Sequence, residues 1–204
     1  MTPRSIARSM YYWLFRVQIR FRCFFADYFS HRPDVVLPPA MLRFRISESI
    51  SPDDFLRIGR ACSRMIVDRI AESGLTLGGA RVLDFGCGCG RTLMWLIPDY
   101  PEAQFYGVDI DQEAVRWCSS HFSSSRFHTG SALPPLPYPD KHFRVIYCLS
   151  VFTHLNEPMQ DAWLCELRRI LQLGGLLIVT VHGHNAASVL PPDDLDRLAN
   201  ALYS

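Results

Sequence analysis

The densest chemistry in this 204-residue sequence lies in Val82–Arg91, where one acid, Asp84, is followed by Gly86, Gly88 and Gly90 with Cys87 and Cys89 between them. Val82, Leu83 and Phe85 read as a buried strand. Glycine at every second position after it lets the backbone turn sharply and keeps β-carbons out of the space above. The helix expected from Arg91 points its free N–H groups and positive dipole end at the same space. The pattern predicts a small-molecule cradle. Cys87 and Cys89 have no second pair nearby to complete a zinc site, so they read as loop residues and no metal is expected.

Glycine-rich turns after a first strand serve several nucleotide ligands, and two acids narrow the choice. Asp109 closes a second apolar run, Phe105–Asp109, nineteen residues past Gly90. A carboxylate there can accept both hydroxyls of an adenosine ribose. It could instead cap the helix expected from Gln112, but Asp111 is better placed to do so. Asp84 stands two residues before Gly86, where it would repel a pyrophosphate and attract an ammonium group. S-adenosylmethionine carries an α-amino group, a carboxylate and a ribose, and these match Asp84, the glycine loop and Asp109. An NAD(P)-dependent oxidoreductase is the competing reading, and Asp84 opposes it.

These residues need a scaffold that brings two strand ends together. Apolar runs predict strands at 81–85, 104–109, 126–129, 143–149 and 176–182, with helices at about 91–97, 112–121 and 160–171 and a last one near 193–203. The proline-rich loop Pro134–Asp140 takes the place of a full helix. Alternating strands and helices imply parallel β-α-β units and ligand binding beyond the strands' carboxyl ends. The expected architecture is α/β, a Rossmann-like three-layer sandwich with a mainly parallel sheet of order 3-2-1-4-5 and a helical N-terminal extension. Upstream, Ser51, Pro52, Asp53 and Asp54 announce a helix by an N-cap serine, an early proline and two acids at the positive dipole end. Phe55, Ile58, Cys62, Met65, Ile66 and Ile70 continue it at helical spacing to about Gly74.

In combination, these segments resemble the class I S-adenosylmethionine-dependent methyltransferases. Val82–Arg91 resembles that family's first motif and Asp109 its ribose-binding acid. Leu136–Phe143 with Val145, Ile146 and Tyr147 resembles the approach to its fourth strand. Ser150–Leu155 resembles the following turn, and Leu164–Gly175 the helix and turn before strand five. The resemblance spans roughly 55–183 and is silent on residues 1–45. It implies that Asp84, Gly86, Cys87, Gly88 and Gly90 hold the methionine end of the cofactor. Asp109 would bind ribose, with Ile110 against the adenine face. Ser131 and Ala132 would lie at the adenine edge, and Leu149 and Ser150 beneath the sulfonium. The family often has Asp at the position of Ser131 and usually has Asp at that of Arg144. Members usually continue past strand five into an antiparallel hairpin, whereas 22 residues follow His182 in this sequence. A five-strand sheet with an edge needing cover is therefore expected.

Methyl transfer needs a base only when the acceptor arrives protonated. His154, His182 and His184 follow strands four and five; His182 and His154 are the candidate catalytic residues. The expected function is transfer of a methyl group from S-adenosylmethionine to a small or medium acceptor. The alternative from another class is a non-catalytic, methyltransferase-like partner subunit.

The 21 basic and 20 acidic residues balance, so composition gives no argument for nucleic acid. Charge is uneven, however: Arg4, Arg8, Arg16, Arg20, Arg22 and Arg32 face one acid, Asp27, within residues 1–32. Seven cysteines at scattered spacing suit reduced thiols and a cytoplasmic setting. No apolar run reaches the length of a membrane span, and Ser9–Phe15 is short for a secretory signal. Over residues 4–30 a helix is expected, with Met10, Trp13, Leu14, Val17, Phe21, Phe24, Phe25 and Tyr28 on one arc of about 120°. Tyr12, Phe15 and Ile19 lie opposite. Packing on its own domain or a protein partner is the favoured role of that arc; a peripheral membrane surface is the second reading and an arginine-rich, acid-poor targeting leader the third. Residues 31–50, with Pro33, Pro38 and Pro39, read as an extended linker. The organisation is therefore an amphipathic helix and linker over 1–50 and a cofactor-binding domain over 51–204.

Overall fold

A computed structural model of the chain describes residues 3–29 and 35–181, with side chains from residue 13 onward. Helix α1 (Pro3–Phe29) and helix α2 (Ala40–Ser47) precede helix α3 (Pro52–Glu72). Strand β1 (Arg81–Phe85), helix α4 (Leu93–Asp99), strand β2 (Gln104–Asp109), helix α5 (Gln112–His121) and strand β3 (Arg126–Thr129) follow. Strand β4 (Phe143–Cys148), a 3₁₀ turn (Phe152–His154), helix α6 (Glu157–Ile170) and strand β5 (Leu171–Val179) complete the described chain.

The five strands pair in parallel in the order β3-β2-β1-β4-β5. Side-chain alternation splits the core in two. Leu83, Phe85, Ile146 and Cys148 face one way and pack with Trp163, Leu167 and Ile170 of α6. Val82, Phe105, Val145 and Tyr147 face the other way and meet Ile66 and Ile70 of α3 and Leu93 and Leu96 of α4. Helices thus cover both faces, which is the three-layer sandwich expected. Two caps act as the sequence indicates. Ser51 accepts from the Asp54 N–H, and Asp111 accepts from the Glu113 and Ala114 N–H groups.

Three expectations change. Residues 31–50 are not an extended linker throughout, because 40–47 form α2. Pro38 and Pro39 do not block a helix that begins after them. The Asp27 carboxylate of α1 accepts from the Ala40 N–H with both oxygens, at 2.8 and 3.0 Å, a cap supplied from another helix. Arg43, buried in α2, donates to the Pro38 carbonyl before the helix and the Ile50 carbonyl after it. Strand five also starts earlier and ends earlier than 176–182. Leu171 pairs with Phe143, the ladder slips around Gly174 (φ 69°), and regular pairing resumes from Leu176 to Val179. Finally, the wide aromatic arc of α1 does not face the domain. Ile19 and Cys23 are buried against Ala40, while Trp13, Phe21, Phe24 and Tyr28 are exposed. The helix expected near 193–203 lies outside the described residues.

Candidate functional site

The carboxyl ends of β1, β2 and β4 open onto one cavity of about 590 Å³, within the range of small-molecule sites. Its floor starts where β1 ends. Gly86 and Gly88 both take left-handed backbone conformations (φ 83° and 51°), which residues with a β-carbon rarely adopt. The Gly86 and Cys87 N–H groups donate to the Val108 carbonyl at 2.7 and 3.0 Å, fastening the loop to the end of β2. A β-carbon on Gly88 would lie 2.7 Å from Ile46 Cγ2 of α2, and one on Gly86 would run into Val151 after β4. The loop is therefore closely covered from two sides.

Asp109, the last residue of β2, holds the loop from below. Its Oδ2 accepts from the Gly88 N–H at 2.7 Å and its Oδ1 from the Asp111 N–H at 2.8 Å. Asp84 lies on β1, buried, with Oδ2 accepting from the Tyr147 hydroxyl of β4 at 2.9 Å. Burial raises its pKa to about 8; the Asp109 charge adds to this, while the Tyr147 bond and Arg91 oppose it. Burial and the neighbouring Asp84 carboxyl together push the Tyr147 hydroxyl well above its ordinary value. At neutral pH Asp84 is thus largely protonated, and a ligand cation placed against it would draw the proton off.

The cover is α2. Leu42, Arg45 and Ile46 line the cavity. Arg45 reaches across its mouth to Asp111 and Glu113, at 2.9 and 2.8 Å. Burial works against the Asp111 charge, but the Arg45 guanidinium and the helix N–H groups outweigh it and hold that carboxyl below its ordinary range. The wall opposite is apolar: Val151, Leu155, Met159 and Trp163. Trp163 donates its indole N–H to the Ala132 carbonyl, tying α6 to the loop after β3.

Of the residues singled out by sequence, Asp84, Gly86, Cys87, Gly88, Asp109, Ile110, Ser131, Ala132, Leu149, Ser150 and His154 all line this cavity. Gly90 does not; its missing β-carbon makes room for Phe122 and Cys118 of the α5 region. His182 and His184 lie outside the described residues. Ser131 turns its hydroxyl to the Leu133 carbonyl. Ser150 adopts a left-handed conformation (φ 59°) and donates its N–H to Thr180 Oγ1 at 2.7 Å. Backbone strain of this kind clusters at functional sites. Cys87 and Cys89 are buried; a hydrogen bond with Cys118 and burial raise the Cys87 thiol, and burial lifts Cys89 to about 12. Among the described residues no cluster of three or more His, Cys, Asp or Glu side chains is placed to hold a metal ion.

The residues that sequence reasoning missed are Leu42, Arg45 and Ile46 of α2, Tyr147, and the wall residue Trp163. The one readable signal was in α2. Leu42, Arg45 and Ile46 are spaced for one helical face, hidden behind Pro38 and Pro39.

A parallel sheet of order 3-2-1-4-5, with a glycine loop after β1 and an acid ending β2, defines a Rossmann-like nucleotide-binding α/β domain. Within that class, residues 82–175 match the family described as "Methyltransferase domain". A fatty-acid O-methyltransferase from Mycolicibacterium smegmatis is 32% identical over 104 residues, covering 50% of this chain and 37% of the relative. Phthiotriol/phenolphthiotriol dimycocerosates methyltransferase 1 of Mycobacterium ulcerans is 26% identical over 145 residues, covering 70% and 49%. This chain spans less than half the length of either. Among solved structures, an S-adenosylmethionine-dependent methyltransferase from Clostridium acetobutylicum superposes with a TM-score of 0.53 at 19% identity. That match covers 62% of this chain and 52% of the other, and supports the fold.

Proposed function

We propose that this chain binds S-adenosylmethionine in the cavity at the end of β1 and β2 and transfers its methyl group to a small, largely apolar acceptor. One observation carries the reading. Two acids, Asp84 and Asp109, stand at one cavity on either side of a glycine loop whose Gly88 N–H is held by Asp109. When bound, the cofactor supplies a methyl group on a sulfonium sulfur. The donor set fits it: Asp84 takes the ammonium, and Asp109 accepts from the ribose through its remaining lone pairs. Gly86 and Gly88 leave space that side chains would fill. Ile110, 70% exposed at the mouth, is a surface for the adenine face. Ser131 and Ala132 sit at the adenine edge, and Leu149 and Ser150 close the cavity below the reacting sulfur.

Alignment then does most of the work. Holding an acceptor in line with the methyl carbon and the sulfur it would leave supplies a large share of the barrier reduction. The apolar wall of Val151, Leu155, Met159 and Trp163 is suited to an apolar acceptor. The names of two relatives, a fatty-acid and a dimycocerosate methyltransferase, support the same choice. His154 stands at that wall, in reach of an acceptor whose hydroxyl proton must be removed. His182 is a second candidate base.

Calorimetric titration of the chain with S-adenosylhomocysteine tests the reading, with NADH as the comparison ligand. Binding of the first and none of the second is expected, with Asp109→Ala weakening it at least tenfold. Absence of binding by the unaltered chain would sink the proposal.

A further inference from the structure

We propose that α1 is an interfacial helix that docks the protein on an anionic lipid bilayer. Its inner strip is narrow. Ile19 and Cys23 are buried, and with Ala26 they meet Ala40, Met41 and Phe44 of the α2 region. At 100° per residue the face opposite that strip carries Trp13, Leu14, Phe21, Phe24, Phe25 and Tyr28 on one arc of about 120°. All six are more than half exposed, from 52% for Leu14 and Phe25 to 72% for Tyr28. The arc runs about 25 Å along the helix. A contiguous exposed apolar surface of this kind on a folded domain marks an interaction site.

Charge decides what the arc meets. Arg16 and Arg20 border it on one side and Arg22 on the other, and all three are exposed. The sequence has no acid before Asp27, and Asp27 is turned to the domain, where it caps Ala40 and pairs with Arg43. The arc itself therefore offers aromatic rings between cations and no anion; Asp27, on the border with Arg16 and Arg20 and 43% accessible at its side chain, is engaged by Ala40 and Arg43. Aromatic side chains settle at the level of lipid headgroups, while arginines at the borders lay their stems on apolar surface and reach the phosphates. Among the described residues no helix is long and apolar enough to cross a membrane, so the geometry is that of a helix lying on the surface. α2 lies between α1 and the cavity, so docking sets the cover of the site about one helix diameter, roughly 10 Å, from the lipid.

The test is flotation of the full chain with vesicles, and it needs no cofactor or turnover, so its outcome is separate from that of the methyl-transfer reading. One vesicle set is phosphatidylcholine alone; in the other about a third of the lipid is phosphatidylglycerol. Binding to the anionic vesicles at least tenfold tighter than to the neutral ones is expected, with Trp13 emission shifting to the blue and release by added salt. Replacing Arg16, Arg20 and Arg22 together by Gln should weaken anionic binding about a hundredfold. Phe21→Ser with Phe24→Ser should weaken it at least tenfold. All five positions are exposed, so an unchanged thermal unfolding curve is expected to accompany each loss. Three results would overturn the proposal: no vesicle binding by the unaltered chain, equal and salt-insensitive binding to both vesicle types, or a dimer in solution that the Phe21 and Phe24 substitutions dissociate.

Discussion

The floor and the cover of the cavity are built by different means. On the floor, Val82, Leu83, Ile146 and Tyr147 have no exposed surface, and the N–H groups of the glycine loop are fixed to the Val108 carbonyl and the Asp109 carboxylate. Shape and burial hold it. The cover, α2, rests on α1 by a narrow strip, and polar groups fasten it at both ends. Asp27 caps its start, buried Arg43 ties the flanking chain, and Arg45 spans to Asp111 and Glu113. A floor set by packing keeps one shape whatever the solvent. A cover held by a few charges can open at modest cost and responds to salt and substitution. The pairing suits a site that must fix one ligand in place while admitting and releasing others.

That comparison breaks most sharply at Gly88. Gly88→Val puts a branched side chain on a left-handed backbone and drives its β-carbon into Ile46. It fills the cradle and lifts the cover together. Affinity for S-adenosylhomocysteine should fall at least a hundredfold, or about 3 kcal/mol, while circular dichroism retains the sheet. A variant that binds normally would show that the loop is not the cradle.

Asp84 sharpens the floor side through pH. Its folded pKa of about 8 lies well above the ordinary aspartate value. Between those two values the folded state holds a proton that the unfolded chain has released, so Asp84 makes stability fall as pH rises through that window. Ligand binding runs the other way, because an ammonium group calls for the carboxylate. S-adenosylhomocysteine affinity should therefore rise between about pH 6.5 and 8.5 and level off above, with a proton released on binding at the lower end. Asp84→Asn should bind about thirtyfold more weakly at the alkaline end, lose the pH slope, and flatten the stability profile. Tyr147→Phe removes the bond that favours the charged form and should move the slope to higher pH. Calorimetry in buffers of different ionisation enthalpy measures all three.

The same division explains what was legible in the sequence. The floor was readable because its chemistry is local: a strand, alternate glycines and an acid sit within ten residues, and Asp109 ends the next strand. Backbone rules at Gly86 and Gly88 act on the residue itself. The cover was not readable, because what makes 40–47 a helix is distant. Its N-cap comes from Asp27, thirteen residues back, and Pro38 and Pro39 argue locally for extended chain. Tyr147 was visible as a strand residue, but its bond to Asp84 spans sixty-three positions. The direction of α1 was hidden for a related reason. Periodicity finds an apolar arc without saying which way it faces, and the narrower strip around Ile19 won the contact with α2. Strand five began early because an irregular ladder around Gly174 let Leu171 pair before the regular register resumed.

On the cover side, Arg43 should matter more than its place near the N-terminus suggests. Arg43→Met keeps the volume of the stem but leaves the Pro38 and Ile50 carbonyls without their donor and Asp27 without its cation. Each unsatisfied buried group costs on the order of 1–3 kcal/mol, and the loss falls on α2 rather than on the sheet. The expected result is faster hydrogen exchange over 36–50 with strands β1 and β4 still protected. Binding should weaken about tenfold, through faster ligand release. Equal loosening of the sheet would mean that floor and cover are one cooperative unit.

The smallest effect belongs to Arg45, and it is the cleanest test of a charge-fastened cover. Its pairs with Asp111 and Glu113 are partly exposed, with 41% of the Arg45 side chain accessible, so water screens them and each is worth well under 1 kcal/mol to stability. Arg45→Gln should leave the unfolding midpoint almost unchanged. The pairs nevertheless join α2 to α5 across the mouth, and the unaltered protein should release S-adenosylhomocysteine two- to threefold faster in about 0.5 M salt than in 0.05 M. In Arg45→Gln release should be fast at both salt concentrations. Asp111 separates the latch from the cap it also provides: Asp111→Asn keeps a side-chain oxygen for the Glu113 and Ala114 N–H groups but loses the charge that faces Arg45. Stopped-flow release from Asp111→Asn, which keeps the Glu113 pair, should therefore fall between the unaltered protein and Arg45→Gln, and the double variant should be no faster than Arg45→Gln alone. Additive effects in the double variant would show that the two residues act separately, and α2 would then be held over the site by Leu42 and Ile46 packing instead.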